Sequence, residues 1–450
     1  MDRARVHIPG WRRDALRTNL WFVPSLLVVA AAALFGLTYG LDRAVHAHAF
    51  SLPSWVNTGG PDAARTLLTA IAAAVITVVG VVFSITILAL QLASTQFGPR
   101  MLRNFIRDLG TQLTLGTFVA TFVFSVLALG SVNSTGGATF VPHISVTAAL
   151  VLLVVDLGVL IYFIHHVSQT IQLTDVVHAI ARDFHHAIDE LHADRGLAAA
   201  SPPAGPAVGA LAERLEREGV GIPAPSSGYL QAIGHHRLVQ IAGDSDAIVQ
   251  LAYRPGHFII RGRPLAVVWP AASAPAVADG LARAHVTGSH RTLRQDPQFA
   301  IDQLVEIAIR ALSPAVNDTF TALTCIDWLT DGLTRVSAQP LRDGVFRDRG
   351  GRVRLIEVTV PYDRLVNRAF DKIRQAGRGM PAVGIRQLDS LSRIADATID
   401  DDQRAVVQRQ ADMILRAAYA AIEEANDRAD VERAHAGVVA AVARRQHAPV

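Results

Sequence analysis

The chain has 450 residues, of which 50% are hydrophobic and 18% charged, with a formal net charge of +3. This mild charge, without basic residues interleaved with aromatic ones, predicts no nucleic-acid partner. The single Cys325 excludes an intramolecular disulfide and a multi-cysteine zinc site. Lys372 is the only lysine, and its amphipathic context excludes a P-loop, a lipoyl or biotin attachment and Schiff-base chemistry. We therefore expect no cofactor, no catalytic residue and no enzyme.

Apolar residues are concentrated in the first 170 residues. Four nearly uncharged runs occur there, at residues 20–41, 63–92, 111–132 and 144–166. Each reaches the ~20 residues that a helix needs to cross a hydrocarbon core of about 30 Å. One such run is compatible with a buried helix of a soluble protein. Four in succession predict an α-helical polytopic membrane domain over residues 1–170, in contact with the lipid bilayer.

Arginines between the runs predict the orientation of the helices. They cluster before the first run and after the second, and the other connections contain few: the clusters are Arg3, Arg5, Arg12, Arg13, Arg17 and Arg100, Arg103, Arg107. Because cationic loops stay on the cytoplasmic side, we expect a multi-pass protein of the bacterial inner membrane with both termini in the cytoplasm. After the second run, Gly98-Pro99 predicts a helix break, followed by a short interfacial helix over residues 101–109.

Small and polar residues form a stripe along two of the runs. In the second run they recur at helical spacing, with one gap near residue 87: Thr66, Ala70, Ala73, Thr77, Gly80, Ser84, Gln91 and Thr95. The third run repeats the pattern with Thr114, Thr117, Thr121, Ser125 and Ala128. Such faces pack helices closely, within one chain or between subunits, and they can also line a path for ions or small solutes. Both interpretations stay open, and the extent of small-residue surface predicts a homo-oligomer.

Asp156 is the only carboxylic acid well inside one of the runs. An acid within the membrane is by default a candidate proton or cation site. The alternative is a protonated carboxyl group that is hydrogen-bonded to a serine or threonine of a neighbouring helix. The residue type alone does not distinguish these two interpretations.

Residues 171–210 are predicted to form a helical stalk followed by a Pro/Gly/Ala linker. His178, His185 and His192 recur every seven residues along the stalk, beside Asp175 and Asp189. Heptad spacing separates successive histidines by about 10 Å, which is too far for ligands of one ion. A metal would need further ligands from a neighbouring helix. We therefore predict a polar, interfacial helix face and no metal site.

Residues 211–290 are predicted to form a β-rich cytoplasmic module. Clusters of Val, Ile and Leu alternate there with turn signals at Gly243-Asp244, Pro255-Gly256 and Gly262, a pattern typical of short hairpins. The segment YRPGHFIIRGRPLAVV resembles the hairpins of barrel-sandwich modules such as lipoyl domains. It lacks the lysine that is modified in those domains, so the resemblance concerns shape only.

Residues 291–450 are predicted to form a mainly helical cytoplasmic domain with one strand pair around residues 344–360. Asp296 is the expected N-cap of a helix that starts at Pro297, and Asn317 or Asp318 is expected to cap the next. The cluster of Ser313, Asn317, Asp318 and Thr319 is the best candidate for a cytoplasmic site. Polar helix caps have the same appearance, and we favour that interpretation.

Four stretches in this order resemble a known family: GVVFSITILALQLASTQFGPRMLRNF, IYFIHHVSQTIQ, GYLQAI…RPGHFIIRGRPLA and DPQFAIDQLVEIAIRALSPAVNDTFTALTCIDWL. They are similar to the bacterial predicted membrane proteins that are catalogued as domain of unknown function 2254. The resemblance implies four N-terminal spans and a cytoplasmic domain, and it implies no activity and no catalytic residue.

The expected fold is therefore four transmembrane helices followed by a cytoplasmic α+β domain with a small β-hairpin module and a helical C-terminal region. Two functions compete. The polar stripes and Asp156 predict an oligomeric channel or transporter for ions or small solutes, regulated by the cytoplasmic domain. The absence of a charge ring or a broken helix, together with the histidine-bearing stalk, favours a membrane-anchored scaffold or sensor instead.

Overall fold

The computed structural model describes residues 21–47, 59–97, 108–132, 140–170, 173–193, 207–293, 295–340 and 343–444. Contacts divide the chain into two compact units, Met1–Asp175 and Val176–Val450. We call the first the membrane unit and the second the C-terminal unit.

The membrane unit contains four helices in the part of the chain described: α1 (Phe22–His46), α2 (Pro61–Phe97), α3 (Leu109–Ser131) and α4 (His143–Thr170). All four are long and apolar enough to cross a membrane, which confirms the four spans expected from the hydrophobic runs. Residues 98–107, with most of the predicted interfacial helix, lie outside the described residues. Leu109, assigned to that helix from the sequence, instead opens α3.

Helix α3 contacts each of the other three helices of the membrane unit. Its Phe118 and Phe124 belong to one buried cluster with Leu68 and Val75 of α2 and Phe163 of α4. Lipid chains are as apolar as these side chains, so the association of the helices depends on close packing and dispersion more than on the hydrophobic effect. The large aromatic residues of α3 provide that contact area.

The C-terminal unit combines helices with short strands. Its helices, including α5 at the boundary between the units, are α5 (Leu173–Ala193), α6 (Val208–Glu218), α7 (His235–Asp244), α8 (Ala274–Ala284), α9 (Pro297–Ala311), α10 (Thr319–Ser337), α11 (Tyr362–Ala376), α12 (Pro381–Ala397), α13 (Asp401–Tyr419) and α14 (Ala425–Ala443). Its strands are β1 (Val220–Pro223), β2 (Gly228–Ile233), β3 (Ile248–Leu251), β4 (Phe258–Ile259), β5 (Pro264–Trp269), β6 (His285–Gly288), β7 (Val345–Arg347) and β8 (Val353–Glu357). This mixture confirms the predicted fold class.

The strands form two small sheets. The larger has the order β1-β5-β3-β8-β7, and the smaller has the order β4-β2-β6. Strands β7 and β8 are the strand pair expected near residues 344–360. Strand β8 also pairs in parallel with β3, with Val249 opposite Leu355, so the larger sheet joins segments about a hundred residues apart. Val249 and Leu355 are fully buried in its core.

The short hairpins that the turn signals predict within residues 228–270 do not form. Residues 235–244 form helix α7, so β2 and β3 are not adjacent; β3 pairs with β5, and β2 with β4 and β6. Leu238, Val239 and Ala242 recur at helical spacing and are buried. The Gly243-Asp244 signal marks the end of this helix, because glycine and aspartate are as common beside helix ends as in hairpin turns.

The helices of residues 291–450 begin at local capping signals. The side chain of Asp296 accepts a hydrogen bond from the N–H of Phe299 at 3.2 Å, and Pro297 is the first residue of α9. Asp318 accepts from the N–H of Thr321 at 3.1 Å and caps α10. Both caps satisfy N–H groups that the first turn of a helix leaves without an intrahelical partner.

Candidate functional site

Asp156 lies in the interior of the membrane unit, with only 2% of its surface exposed. The Thr121 hydroxyl of α3 donates to its Oδ1 at 3.2 Å. The other carboxyl oxygen, Oδ2, has no hydrogen-bond partner among the described residues. Ser125, one turn after Thr121 on α3, is fully buried, and its hydroxyl also lacks a partner there. We call Thr121, Ser125 and Asp156 the Asp156 cluster.

Unpartnered polar atoms at this depth are costly, because neither lipid nor protein replaces the hydrogen bonds that water would make. The cluster combines a carboxyl oxygen and a hydroxyl oxygen, which are suitable ligands for a proton or a hard cation. The structure thus brings Thr121 into contact with Asp156, and Ser125 lies one turn further along α3. The Thr121 bond is the contact expected for the packing alternative, a carboxyl group that is hydrogen-bonded to a threonine of a neighbouring helix. The unpartnered Oδ2 and Ser125 hydroxyl are what make the cluster a candidate proton or cation site.

The remaining hydroxyls of the α3 stripe are satisfied within their own helix. Thr114 is buried and donates to the carbonyl of Gly110 at 2.9 Å, and Thr117 donates to that of Leu113 at 2.8 Å. Among the hydroxyls of the α3 stripe, that of Ser125 is therefore distinguished by its lack of a partner among the described residues.

The stripe of α2 lies on a different surface. Its members from Thr66 to Gln91, namely Thr66, Ala70, Ala73, Thr77, Gly80, Ser84 and Gln91, are all exposed. No atom lies within 4 Å of the position that a Cβ on Gly80 would occupy. The side chain of Thr95 lies outside the described residues. The α2 stripe therefore packs against no other described helix of the same chain, and a single chain does not combine it with the buried Asp156 cluster in one path.

The hydroxyls of the α2 stripe are nevertheless not free. Thr66, Thr77 and Ser84 donate to backbone carbonyls four residues earlier, at 2.8, 2.7 and 2.8 Å. This intrahelical bonding lowers the cost of exposing a hydroxyl to lipid. The stripe therefore presents a small, smooth surface on the outside of the helix bundle.

Asp42, a residue that sequence analysis did not select, binds the start of α4. Its carboxylate accepts hydrogen bonds from the N–H groups of Ile144 at 2.7 Å and Ser145 at 3.0 Å, and from the Ser145 hydroxyl at 2.7 Å. The N-terminus of a helix favours a negative charge, so this contact caps α4 with a residue of α1. The only sequence signal was an acid directly after the first apolar run.

Asp108 and His166 form a polar contact within the same unit. Asp108 caps α3 through the N–H of Thr111 at 2.8 Å and lies 2.7 Å from Nε2 of His166 on α4. Gly110 allows this approach, because a Cβ there would lie 2.6 Å from the same ring nitrogen. Asp108 lies within the interfacial helix predicted over residues 101–109, yet it caps α3, and its interhelical partner His166 is remote in sequence.

The histidines of the α5 stalk pack against α10. The His178 ring lies 5.1 Å from the Trp328 ring, and Nε2 of His185 lies 2.5 Å from Asp331. Phe184 and Gly332 bring the two helices into close contact. Within the described ranges, no group of three or more His, Cys, Asp or Glu side chains is placed to hold a metal ion. The side chain of His192 lies outside them.

The residues of the candidate cytoplasmic site occupy a helix boundary. The Ser313 hydroxyl donates to the carbonyl of Arg310 at 2.7 Å, and Asp318 caps α10. Asn317 has a φ of 50°, a left-handed conformation that asparagine tolerates at turns. Each of these features serves the turn between α9 and α10.

Comparisons with known proteins agree with this architecture. Residues 17–393 match the family described as "Predicted membrane protein (DUF2254)". Uncharacterized protein Mb1321c of Mycobacterium bovis and Uncharacterized protein Rv1290c of Mycobacterium tuberculosis are each 33% identical over 447 residues, covering 96% of this chain and 82% of the relative. No solved structure matches the chain.

Proposed function

The chain belongs to the DUF2254 family of predicted membrane proteins, and we propose that it acts as an oligomeric channel or transporter for ions or small solutes. The observation that carries the proposal is the Asp156 cluster. An acid inside a membrane helix is expensive, and it is most often retained where it binds a proton or a cation. Weak oxygen ligands replace part of the hydration of an ion without holding it too tightly to leave. Asp156 would then regulate occupancy of the path.

The exposed α2 stripe supports assembly into a homo-oligomer. Small residues permit close approach of helices in lipid, and no other described part of the chain covers Thr77, Gly80 or Ser84. In this arrangement the α2 stripes of neighbouring subunits face one another, either as a packed interface or as the border of a path. The arginine distribution supports insertion in the inner membrane with both termini in the cytoplasm, where the C-terminal unit would act as a regulatory domain.

A membrane-anchored scaffold or sensor is the second candidate. The intrahelical hydrogen bonds of Thr66, Thr77 and Ser84 favour it, because these hydroxyls need no solute or water as a partner. The histidine-bearing α5 helix would then transmit or receive a signal. Neither candidate involves an enzymatic reaction.

Flux measurements on the full-length protein in liposomes test the proposal. We expect wild-type protein to conduct protons, monovalent cations or small solutes, and Asp156→Asn to change the pH or cation dependence of that flux. Asp62→Asn is the matched control, because Asp62 is an exposed carboxylate in the first turn of α2. Absence of flux in wild-type liposomes, with Asp156→Asn changing thermal stability alone, would favour the scaffold.

Cysteine labelling locates the path. Thr77→Cys, Ser84→Cys and Gln91→Cys are expected to react with a water-soluble thiol reagent if the α2 stripe borders water. Phe83→Cys is the control, because Phe83 is 55% exposed but lies off the stripe. Protection of all three stripe positions would exclude a path along α2. Loss of assembly in Gly80→Leu with no labelling would instead identify a packed subunit interface.

A further inference from the structure

Three arginines and a histidine from separate segments of the C-terminal unit lie close together. Arg254 and His257 belong to the loop between β3 and β4, Arg291 follows β6, and Arg368 lies on α11. The charges of all three arginines act on the His257 ring. We call these four residues the arginine cluster. Hydrophobic periodicity and capping signals gave no indication of it, because its members are far apart in the chain.

Two of the arginines are neutralised by carboxylates. Arg291 donates through Nε to Asp296 at 2.7 Å and through Nη1 to Asp302 at 2.6 Å. Nε of Arg368 lies 2.7 Å from the other oxygen of Asp302. Two guanidinium groups therefore share two carboxylates, and each of these acids is in direct contact with at least one of them.

Arg254 is the third cation. Its Nη2 donates to the amide oxygen of Gln298 at 2.8 Å, and among the described residues no carboxylate pairs with it at ion-pair distance. The charges of Asp296 and, to a smaller extent, Glu357 act on Arg254 from a longer range. Asp296 is in direct contact with Arg291, and Glu357 lies 3.0 Å from the buried His235. Burial lowers the pKa of Arg254, as expected for a guanidinium that is partly withdrawn from water without a carboxylate partner.

His257 is the second polar group of the loop that carries Arg254. Among the described residues, its ring makes an edge contact with Tyr253, and neither ring nitrogen has a hydrogen-bond partner. Burial, reinforced by Arg254, Arg291 and Arg368, lowers the pKa of His257. The neutral ring can still donate one hydrogen bond. The cluster is partly accessible, since 17% of the Arg291 side chain and 38% of the Arg368 side chain are exposed, and Arg254 and His257 are half-buried.

The loop that carries Arg254 and His257 is held in place. Gly256 has a φ of 92° and packs so closely on the N-cap of α9 that a Cβ there would lie 2.1 Å from Oδ2 of Asp296. The N–H of Gly256 also donates to the carbonyl of Leu230 at 2.8 Å. The loop is thereby fixed against the start of α9, which reduces the ordering cost of binding a ligand.

We propose that the arginine cluster binds a phosphate monoester group, with Arg254 and His257 as its direct ligands and Arg291 and Arg368 as supporting charges. A guanidinium presents N–H donors in a fork that matches phosphate oxygens. The dianion also supplies an anionic partner in direct contact, which no described carboxylate provides to Arg254. The group can belong to a soluble phosphate compound or to the head group of a phosphatidic-acid lipid. The site is independent of the Asp156 cluster and of any transport activity.

Calorimetric titration of inorganic phosphate into the full-length protein in phosphatidylcholine nanodiscs tests this site. We expect saturable binding by wild-type protein, and binding roughly tenfold weaker or worse for Arg254→Gln, because a charge-assisted contact is lost. Arg393→Gln is the matched control, since Arg393 is an exposed arginine of α12, and its affinity should equal that of wild type. His257→Gln should also weaken binding. It serves as the second variant if Arg254→Gln does not fold, because the His257 ring makes no hydrogen bond to any residue that the structure describes.

A second arm distinguishes the sources of the phosphate. The same titration is made in nanodiscs that contain phosphatidic acid. Unchanged affinity for inorganic phosphate indicates a soluble ligand, whereas weaker apparent affinity in wild type alone indicates that the lipid head group competes for the site. Absence of saturable binding in phosphatidylcholine nanodiscs overturns the proposal. An equal loss of affinity in Arg254→Gln and Arg393→Gln also overturns it, since that result would reflect net charge.

Discussion

The contact between α5 and α10 predicts that Gly332→Ala destabilises the C-terminal unit. A Cβ at residue 332 would lie 1.9 Å from Cε1 and 2.3 Å from Cδ1 of Phe184. Non-bonded carbon atoms prefer separations of about 3.5–4.0 Å, so the aromatic ring must move. Phe184 is fully buried and has little room to do so. Overpacking of this kind costs up to about 3 kcal/mol, and alanine recovers about 1 kcal/mol of helix propensity. The expected net loss is about 2 kcal/mol.

Thermal unfolding of the full-length protein in detergent measures this loss. A change of 2 kcal/mol corresponds to a decrease in Tm of roughly 4–8 °C for a domain of this size. Gly437→Ala is the matched control, because Gly437 also lies inside a helix of 19 residues, but no atom lies within 4 Å of the position that a Cβ would occupy there. There, the gain in helix propensity should raise the Tm by roughly 2–4 °C.

A double variant separates the steric clash from other effects. Phe184→Ala alone should cost about 3–5 kcal/mol, because it removes a buried aromatic ring. In that background, Gly332→Ala no longer meets the ring, so it should become stabilising. A neutral or stabilising Gly332→Ala in the wild-type background would refute the close approach of α5 and α10. The same conclusion would follow if the substitution had equal effects in both backgrounds.

Three further predictions concern Asp42, His257 and Cys325. Asp42→Ala should destabilise the membrane unit by about 2 kcal/mol, since the cap of α4 is lost, and it should lower the Tm in detergent; an unchanged Tm would argue against this contact. The pKa of His257 is lowered in the folded state. Below about pH 6.5 the unfolded chain therefore binds the proton more readily, and the free energy of unfolding decreases as the pH decreases. The Tm of wild type minus that of His257→Gln should therefore decrease from pH 7.5 to 5.5, and a constant difference would contradict this. Burial raises the pKa of the Cys325 thiol to about 12, so maleimide should label it only after unfolding; rapid native labelling would show that α10 opens.

The membrane spans and the helix starts could be predicted from local sequence. Four apolar runs have the length that a bilayer demands, whatever their neighbours are. The N-caps of α9 and α10 are also local, because the Asp296 and Asp318 side chains bind N–H groups three residues later. The prediction of hairpins was wrong where α7 forms, because the local signal there is ambiguous. A short apolar segment with Gly243-Asp244 is compatible with a helix or a strand, and the burial of Leu238 and Val239 in the tertiary structure selects the helix.

The candidate sites depend on contacts between distant segments. The polar stripes of α2 and α3 look alike in sequence, yet Ser84 is exposed while Ser125 is buried, one turn after the Thr121 that contacts Asp156. Periodicity shows that residues share a helix face, but it does not show which helix covers that face. Asp42 caps a helix 102 residues later, and Arg254 meets Gln298 across 44 residues. Sequence alone thus determined which segments cross the membrane and where helices begin, because those properties depend on neighbouring residues. Only the tertiary structure decided which polar groups are paired, buried or exposed, because pairing and burial depend on residues that the fold brings together from elsewhere in the chain.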